Sequence, residues 1–265
     1  MESKISAGQH VAIEGGKLHY AWSGNGETVL LLLHGNTVSS QMFAPILPLY
    51  QNVFRVLCMD FLGHGKSDRL GEFPVDLWHH QAMQAAQLLD TLGLQGVNVI
   101  GTSGGALVAL NLALERPELV RSVIADSFEG ETALDAVALA IEAERAQSKS
   151  DPATVRFWRE CHGDDWESVV DNDTRAIIRH HAAVQAFFNK DLSELAMPVL
   201  LTASLQDEFA ELAQFSATYA GMLAKIPMGA MHLFPTGGHP ALLSNGTAFA
   251  ALAESFFHKT KEHHD

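Results

Sequence analysis

The stretch Gly101-Thr102-Ser103-Gly104-Gly105 constrains this chain more than any other. An apolar strand pattern, Val97 to Ile100, runs into it, and a nearly unbroken apolar helix pattern, Ala106 to Glu115, runs out of it. A serine on a sharp strand-to-helix turn takes strained dihedrals that expose its Oγ beside the positive end of the helix. Neighbouring chain crowds such a turn, so Gly101 and Gly105 supply room where a Cβ would clash. The backbone N–H of Gly104 then faces the place of an oxyanion. The pentapeptide alone is a weak signal; the strand before it and the helix after it make it specific. A phosphate loop at a helix N-terminus is the competing reading. It lacks the lysine of a P-loop and the G-x-G-x-x-G spacing of a dinucleotide site.

Short apolar runs repeat on both sides of this turn: "TVLLLLHG" (Thr28–Gly35), "FRVLCMD" (Phe54–Asp60), "VRSVIADS", "PVLLTAS" and "MHLFPTGGHP". Helical patterns separate most of them, which predicts βαβ crossovers and a mostly parallel sheet flanked by helices. A hairpin turning at Gly15-Gly16 precedes them. Gln41 to Tyr50 has helical spacing broken by Pro45 and Pro48, a helix is predicted between Pro74 and Gly93, and a closing helix follows from Ala241. From Phe128 to Ala196 no strand pattern occurs, only helix-like segments at Glu131–Gln147 and Asp173–Lys190. An insertion of that length after the sixth strand reads as a helical cap. The expected organisation is a core of residues 1–127 and 197–265 with a cap of residues 128–196.

The 265 residues suit one large α/β domain with an insertion, and a 47% hydrophobic composition can fill its core. Seventeen Lys and Arg against 31 Asp and Glu, with no basic run, disfavour nucleic acid as a partner. The apolar runs are too short to span a membrane, and "MESKISAGQH" lacks the apolar core of a signal peptide. The expectation is a cytoplasmic protein without membrane insertion, its oligomeric state left open. Cys58 reads as a core residue of a strand. "CHGDDW" (Cys161–Trp166) reads as a cap-loop turn with solvated acids rather than a metal site. With no H-E-x-x-H spacing, neither metal nor cofactor is implied.

A serine hydroxyl needs a base. Of 14 histidines, His79-His80 and His180-His181 fall on helical patterns and His263-His264 in a polar tail. His239 follows the last strand on a glycine-rich loop, at the sheet edge where open α/β sheets bind ligands. Asp207 follows the penultimate strand to the same edge and completes the chain order Ser…Asp…His. Asp126, ending "VRSVIADS", and Glu208 compete with it for the place of the acid.

These motifs resemble the α/β-hydrolase fold, and the resemblance spans nearly the whole chain: "LLLHGNT", "DFLGHGKSDR", "GTSGG", "LQDE" and "GGHP". It implies that the backbone N–H of Asn36 is the second oxyanion donor beside Gly104, with His34 and Gly35 shaping that turn. Asp60, Gly63, Gly65 and Ser67 match the family's D-x-x-G-x-G-x-S loop, an architectural element. "HGN" is also similar to haloalkane dehalogenases, whose nucleophile is an aspartate where this chain has Ser103, which argues against dehalogenation. The helical insertion is similar to the capped branch of the family. The implied activity is a carboxylesterase-type serine hydrolase acting on small-molecule esters or lactones through Ser103, His239 and Asp207. Carbon–carbon bond hydrolysis, cofactor-free haloperoxidase or perhydrolase chemistry, and a slow-turnover small-molecule receptor are the alternatives. Phe128, Trp158, Trp166, Phe187, Phe188 and Met42 are candidates for an acyl pocket, although core packing accounts for each as well.

Overall fold

Strands β1 (Gln9–Ile13), β2 (Gly16–Ser23), β3 (Thr28–Leu33), β4 (Phe54–Asp60), β5 (Val97–Thr102), β6 (Val120–Asp126), β7 (Val199–Ser204) and β8 (Gly229–Phe234) form one sheet. The structure, a computed structural model, describes residues 8–209 and 213–261. The first seven residues, read above for a leader, and His263-His264 lie outside them. Spatial order is β1-β2-β4-β3-β5-β6-β7-β8. The β1–β2 hairpin and the β2–β4 pair are antiparallel, and every other pairing is parallel.

Helices α1 (Leu47–Tyr50), α2 (Leu77–Thr91), α3 (Gly104–Glu115), α4 (Asp135–Ser148), α5 (Pro152–His162), α6 (Trp166–Ala183), α7 (Phe215–Leu223), α8 (Ala241–Ser244) and α9 (Gly246–Lys261) surround it. The period-2 alternation of a strand explains why "VLLLL" carries no polar residue. Leu31 and Leu33 enter the core shared with α2 and α3, while Leu30 and Leu32 enter the core shared with α1 and α9. All four are fully buried, each stabilising the fold by about 2 kcal/mol.

The parallel strands all end at one edge. That edge therefore carries Asn36 after β3, Ser103 after β5, Asp207 after β7 and His239 after β8. Between β6 and β7 the chain forms α4, α5 and α6; α6 packs on α4, α5 and α2, and α5 lies on a 3-10 turn at Ser40–Phe43.

Element boundaries differ from the sequence pattern where particular residues intervene. The helix expected at Asp173–Lys190 begins at Trp166 and stops at Ala183, because Gln185 turns left-handed at φ 64° and Ala186 bridges to Thr132. The same bridge keeps Glu131–Leu134 out of α4. Gln41–Tyr50 divides into the 3-10 turn and α1. The closing helix divides at Asn245, whose amide donates to the Thr236 carbonyl and the Ser204 hydroxyl. Among the described residues no helix is long and apolar enough to cross a membrane.

Candidate active site

Ser103 adopts φ 55° and ψ −126° between β5 and α3. Its N–H donates to the Asp126 carbonyl at 2.8 Å, which stitches the turn to β6. Two glycines make this turn possible. A Cβ at Gly101 would fall against the Gly105 carbonyl, and one at Gly105 against the Leu33 carbonyl. Among the described residues the Ser103 hydroxyl makes no hydrogen bond, to the His239 ring or to any other group.

Asp207 and His239 do meet. Nδ1 of His239 donates to Asp207 Oδ2 at 2.9 Å, and the Asp207 side chain is fully buried. A carboxylate only accepts, so Nδ1 carries the hydrogen and the neutral ring keeps Nε2 as its acceptor. Asp207 Oδ1 takes the Phe209 N–H at 2.9 Å, and the Phe209 ring stands edge-on to the imidazole at 5.0 Å. Glu208 holds the same loop from behind, accepting the His239 N–H at 2.9 Å.

Asp126 is engaged elsewhere. Its carboxyl accepts from Thr102 Oγ1 (2.9 Å), Thr202 Oγ1 (2.8 Å) and the Leu242 N–H (3.0 Å), tying β5, β7 and α8 together. Burial lifts this carboxyl to about 6 against those three hydrogen bonds.

The loop after β3 is held by His34. Its Nε2 accepts the Phe61 N–H at 3.2 Å, which leaves Nδ1 to donate to the Gly35 carbonyl at 2.8 Å. Burial, with His64 beside it, pushes the His34 imidazole down to about 3, so the ring is neutral. The N–H groups of Asn36 and of Gly104, the first residue of α3, have no partner among the described residues. The Asn36 side chain lies over Gly104 and accepts from Trp78 Nε1 at 3.1 Å. Trp78 packs edge-on against His180 and Phe187, an arrangement with no sequence signature.

The remaining sequence candidates disperse. Phe128 stacks on Tyr219, Trp158 stacks on Trp166, and Met42 is buried in the core beside α1 and α9. Phe187 packs on Trp78, while Phe188 lies partly buried on the main core. In the "CHGDDW" stretch, His162 accepts the Gly65 N–H at Nδ1 and Asp165 pairs with Arg69. Asp60 accepts from His19, the Ser40 N–H and the Lys66 N–H, a scaffold for the loop after β4. A cavity of about 300 Å³ lies beside this scaffold, lined among others by His19, Ser39, Cys58 and Cys161.

A family model described as the alpha/beta hydrolase fold matches residues 28–185, more than half of the sequence, and the chain belongs to that family. Haloalkane dehalogenase 2 of Mycobacterium tuberculosis is 32% identical over 109 residues, covering 41% of this chain and 37% of that one. Serine hydrolase BPHL of Homo sapiens is 34% identical over 119 residues, covering 43% of this chain and 40% of its own. The chain thus spans about two fifths of the length of these curated relatives. The crystal structure of naproxen esterase (carboxylesterase NP) from Bacillus subtilis superposes with a TM-score of 0.72 at 18% identity, covering 96% of this chain and 92% of that one. The likeness to it is one of fold.

Proposed function

We propose that this chain is a serine hydrolase of small-molecule carboxylic esters or lactones. His239 Nε2 takes the proton of Ser103 as Oγ bonds to the substrate carbonyl carbon, and the N–H groups of Asn36 and Gly104 receive the oxyanion. Each such donor is worth about 3 kcal/mol in the transition state. The imidazolium, stabilised by Asp207, returns the proton to the leaving alcohol as its C–O bond breaks. Water then repeats the sequence on the acyl-enzyme, releasing the acid and restoring Ser103. The helices of residues 128–196 form the cap over this edge, with residues 1–127 and 197–265 as the core.

The observation that carries this reading is the His239–Asp207 hydrogen bond, at the same strand edge as a serine held at φ 55°. The serine at the elbow and the similarity to serine hydrolase BPHL support it further, as against the dehalogenase relative. The test pairs fluorophosphonate labelling, read by intact mass, with turnover of an ester and lactone panel. Wild type is expected to take one label and to turn over steadily, and Ser103→Ala to do neither. Equal labelling or equal turnover in the variant removes the reading, and a single stoichiometric burst converts it to a receptor.

A further inference from the structure

Thr37, which follows Asn36, is a β-branched residue at φ 60°, in the left-handed region. Such a conformation costs about 1–3 kcal/mol and persists only where the surroundings over-determine it. Three hydrogen bonds do so. The Thr37 N–H donates to Asp173 Oδ2 at 2.8 Å, the Thr37 carbonyl accepts from His162 Nε2 at 2.9 Å, and the hydroxyl donates to the Asn36 carbonyl at 2.7 Å. His162 ends α5 and Asp173 lies on α6, so two of the three come from the helices between β6 and β7.

Asp173 is itself anchored. Its Oδ2 also accepts from His64 Nε2 at 2.6 Å, and both side chains are completely buried. Burial opposes charge on Asp173. The hydrogen bond and charge of His64, the Thr37 N–H and Arg145 outweigh it and hold the carboxyl below its ordinary range. The acceptor for Thr37 is therefore a carboxylate, and such charge-assisted bonds are short and strong.

Within one planar peptide the C=O and the following N–H point in opposite directions. The Gly35–Asn36 peptide is pinned by His34 at the Gly35 carbonyl. The Asn36–Thr37 peptide is pinned by Asp173 at the Thr37 N–H and by the Thr37 hydroxyl at the Asn36 carbonyl. The unpartnered Asn36 N–H belongs to the first of these planes, and the second is held on the far side of the same α-carbon.

We infer that Asp173 is a positioning residue for the oxyanion site: with His162 it clamps Thr37 in the left-handed conformation and so anchors, across the Asn36 α-carbon, the peptide plane that carries the Asn36 N–H. This rests on the roles given to Ser103 and Asn36 under the proposed function. It makes α5 and α6 part of the catalytic frame, not a cover that moves independently of it.

The test measures kcat and KM on a short-chain aryl ester and Kd for a trifluoromethyl ketone, which binds as a tetrahedral adduct. Wild type is compared with Asp173→Asn, His162→Phe and Lys149→Ala. Lys149 pairs with Asp171 and Glu167 on α6 and touches no member of the clamp, so it controls for a loosened helix. Both clamp variants are expected to lower kcat and weaken the ketone about 10- to 100-fold at nearly unchanged KM, a transition-state effect. Lys149→Ala is expected to keep wild-type values. His162→Phe leaves the buried carboxylate in place, so a folded variant, checked by circular dichroism, remains if Asp173→Asn does not fold. Wild-type kcat in a folded clamp variant overturns the inference, as does a loss expressed in KM alone or an equal loss in Lys149→Ala. Full turnover by Ser103→Ala overturns the proposed function instead, so the two failures are distinguishable.

Discussion

Asp207 gives one carboxylate oxygen to Nδ1 of His239 and the other to the N–H of Phe209, each at 2.9 Å. Asp126, the rival acid, gives its oxygens to two threonine hydroxyls and the Leu242 N–H. The two positions are therefore expected to separate in kinetics and stability. Asp207→Asn disturbs the imidazole tautomer and is expected to lower kcat about 10⁴-fold. Asp126→Asn sets an amide N–H against a donor and is expected to cost about 1–3 kcal/mol of stability while the folded enzyme keeps its kcat. Steady-state kinetics and urea melts of both variants check this, and the opposite pattern reverses the assignment.

Ser103 holds φ 55° and ψ −126°, a conformation that glycine enters freely. Ser103→Gly is expected to raise stability by about 1 kcal/mol while abolishing turnover and labelling, because backbone strain at the site is relieved. Thermal unfolding of Ser103→Gly beside Ser103→Ala measures it. A gain as large in the alanine variant argues that the strain lies elsewhere.

At Gly101 the added methyl group meets the Gly105 carbonyl, a backbone atom that cannot step aside without moving α3. Gly101→Ala is expected to cost about 3 kcal/mol or more, at the severe end of single substitutions. A urea midpoint close to wild type would show that the turn relaxes more easily than its packing indicates.

His162 and Asp126 give opposite dependences of stability on pH. Burial, joined by His64, pushes the His162 imidazole from 6.5 down to about 4. Its contribution is present above 6.5 and is lost as pH falls towards 4, about 3 kcal/mol at most. Burial raises Asp126 from 3.8 to about 6, so its contribution is full below 3.8 and is lost as pH rises through 6. Chemical unfolding at fixed pH is expected to show the margin of wild type over His162→Phe shrinking on acidification. The margin over Asp126→Asn is expected to grow.

Much of the frame was legible because it depends on local patterns. "VLLLL" has the alternation of a strand buried on both faces, and Gly101 and Gly105 flank a serine whose turn needs them. His239 and Asp207 were findable because each follows a strand to the same edge. Asp173 was not. It lies 136 positions from Thr37 and sits in a helix pattern where an aspartate ordinarily faces water. Trp78, 42 positions from Asn36, reads as one more apolar residue of α2. The end of α6 was equally hidden, because a left-handed Gln185 has no compositional mark comparable to glycine.

The sheet grows at one flank in sequence order, β6 then β7 then β8. Ser103, Asn36 and the clamp on Thr37 all precede β7, whereas Asp207 and His239 follow β7 and β8. A chain emerging from the ribosome therefore completes the proposed nucleophile well before the proposed base. Reactivity in the proposed mechanism therefore waits until β8 and the loop after it have been made, and a fragment that stops short of β8 would hold the serine without its base.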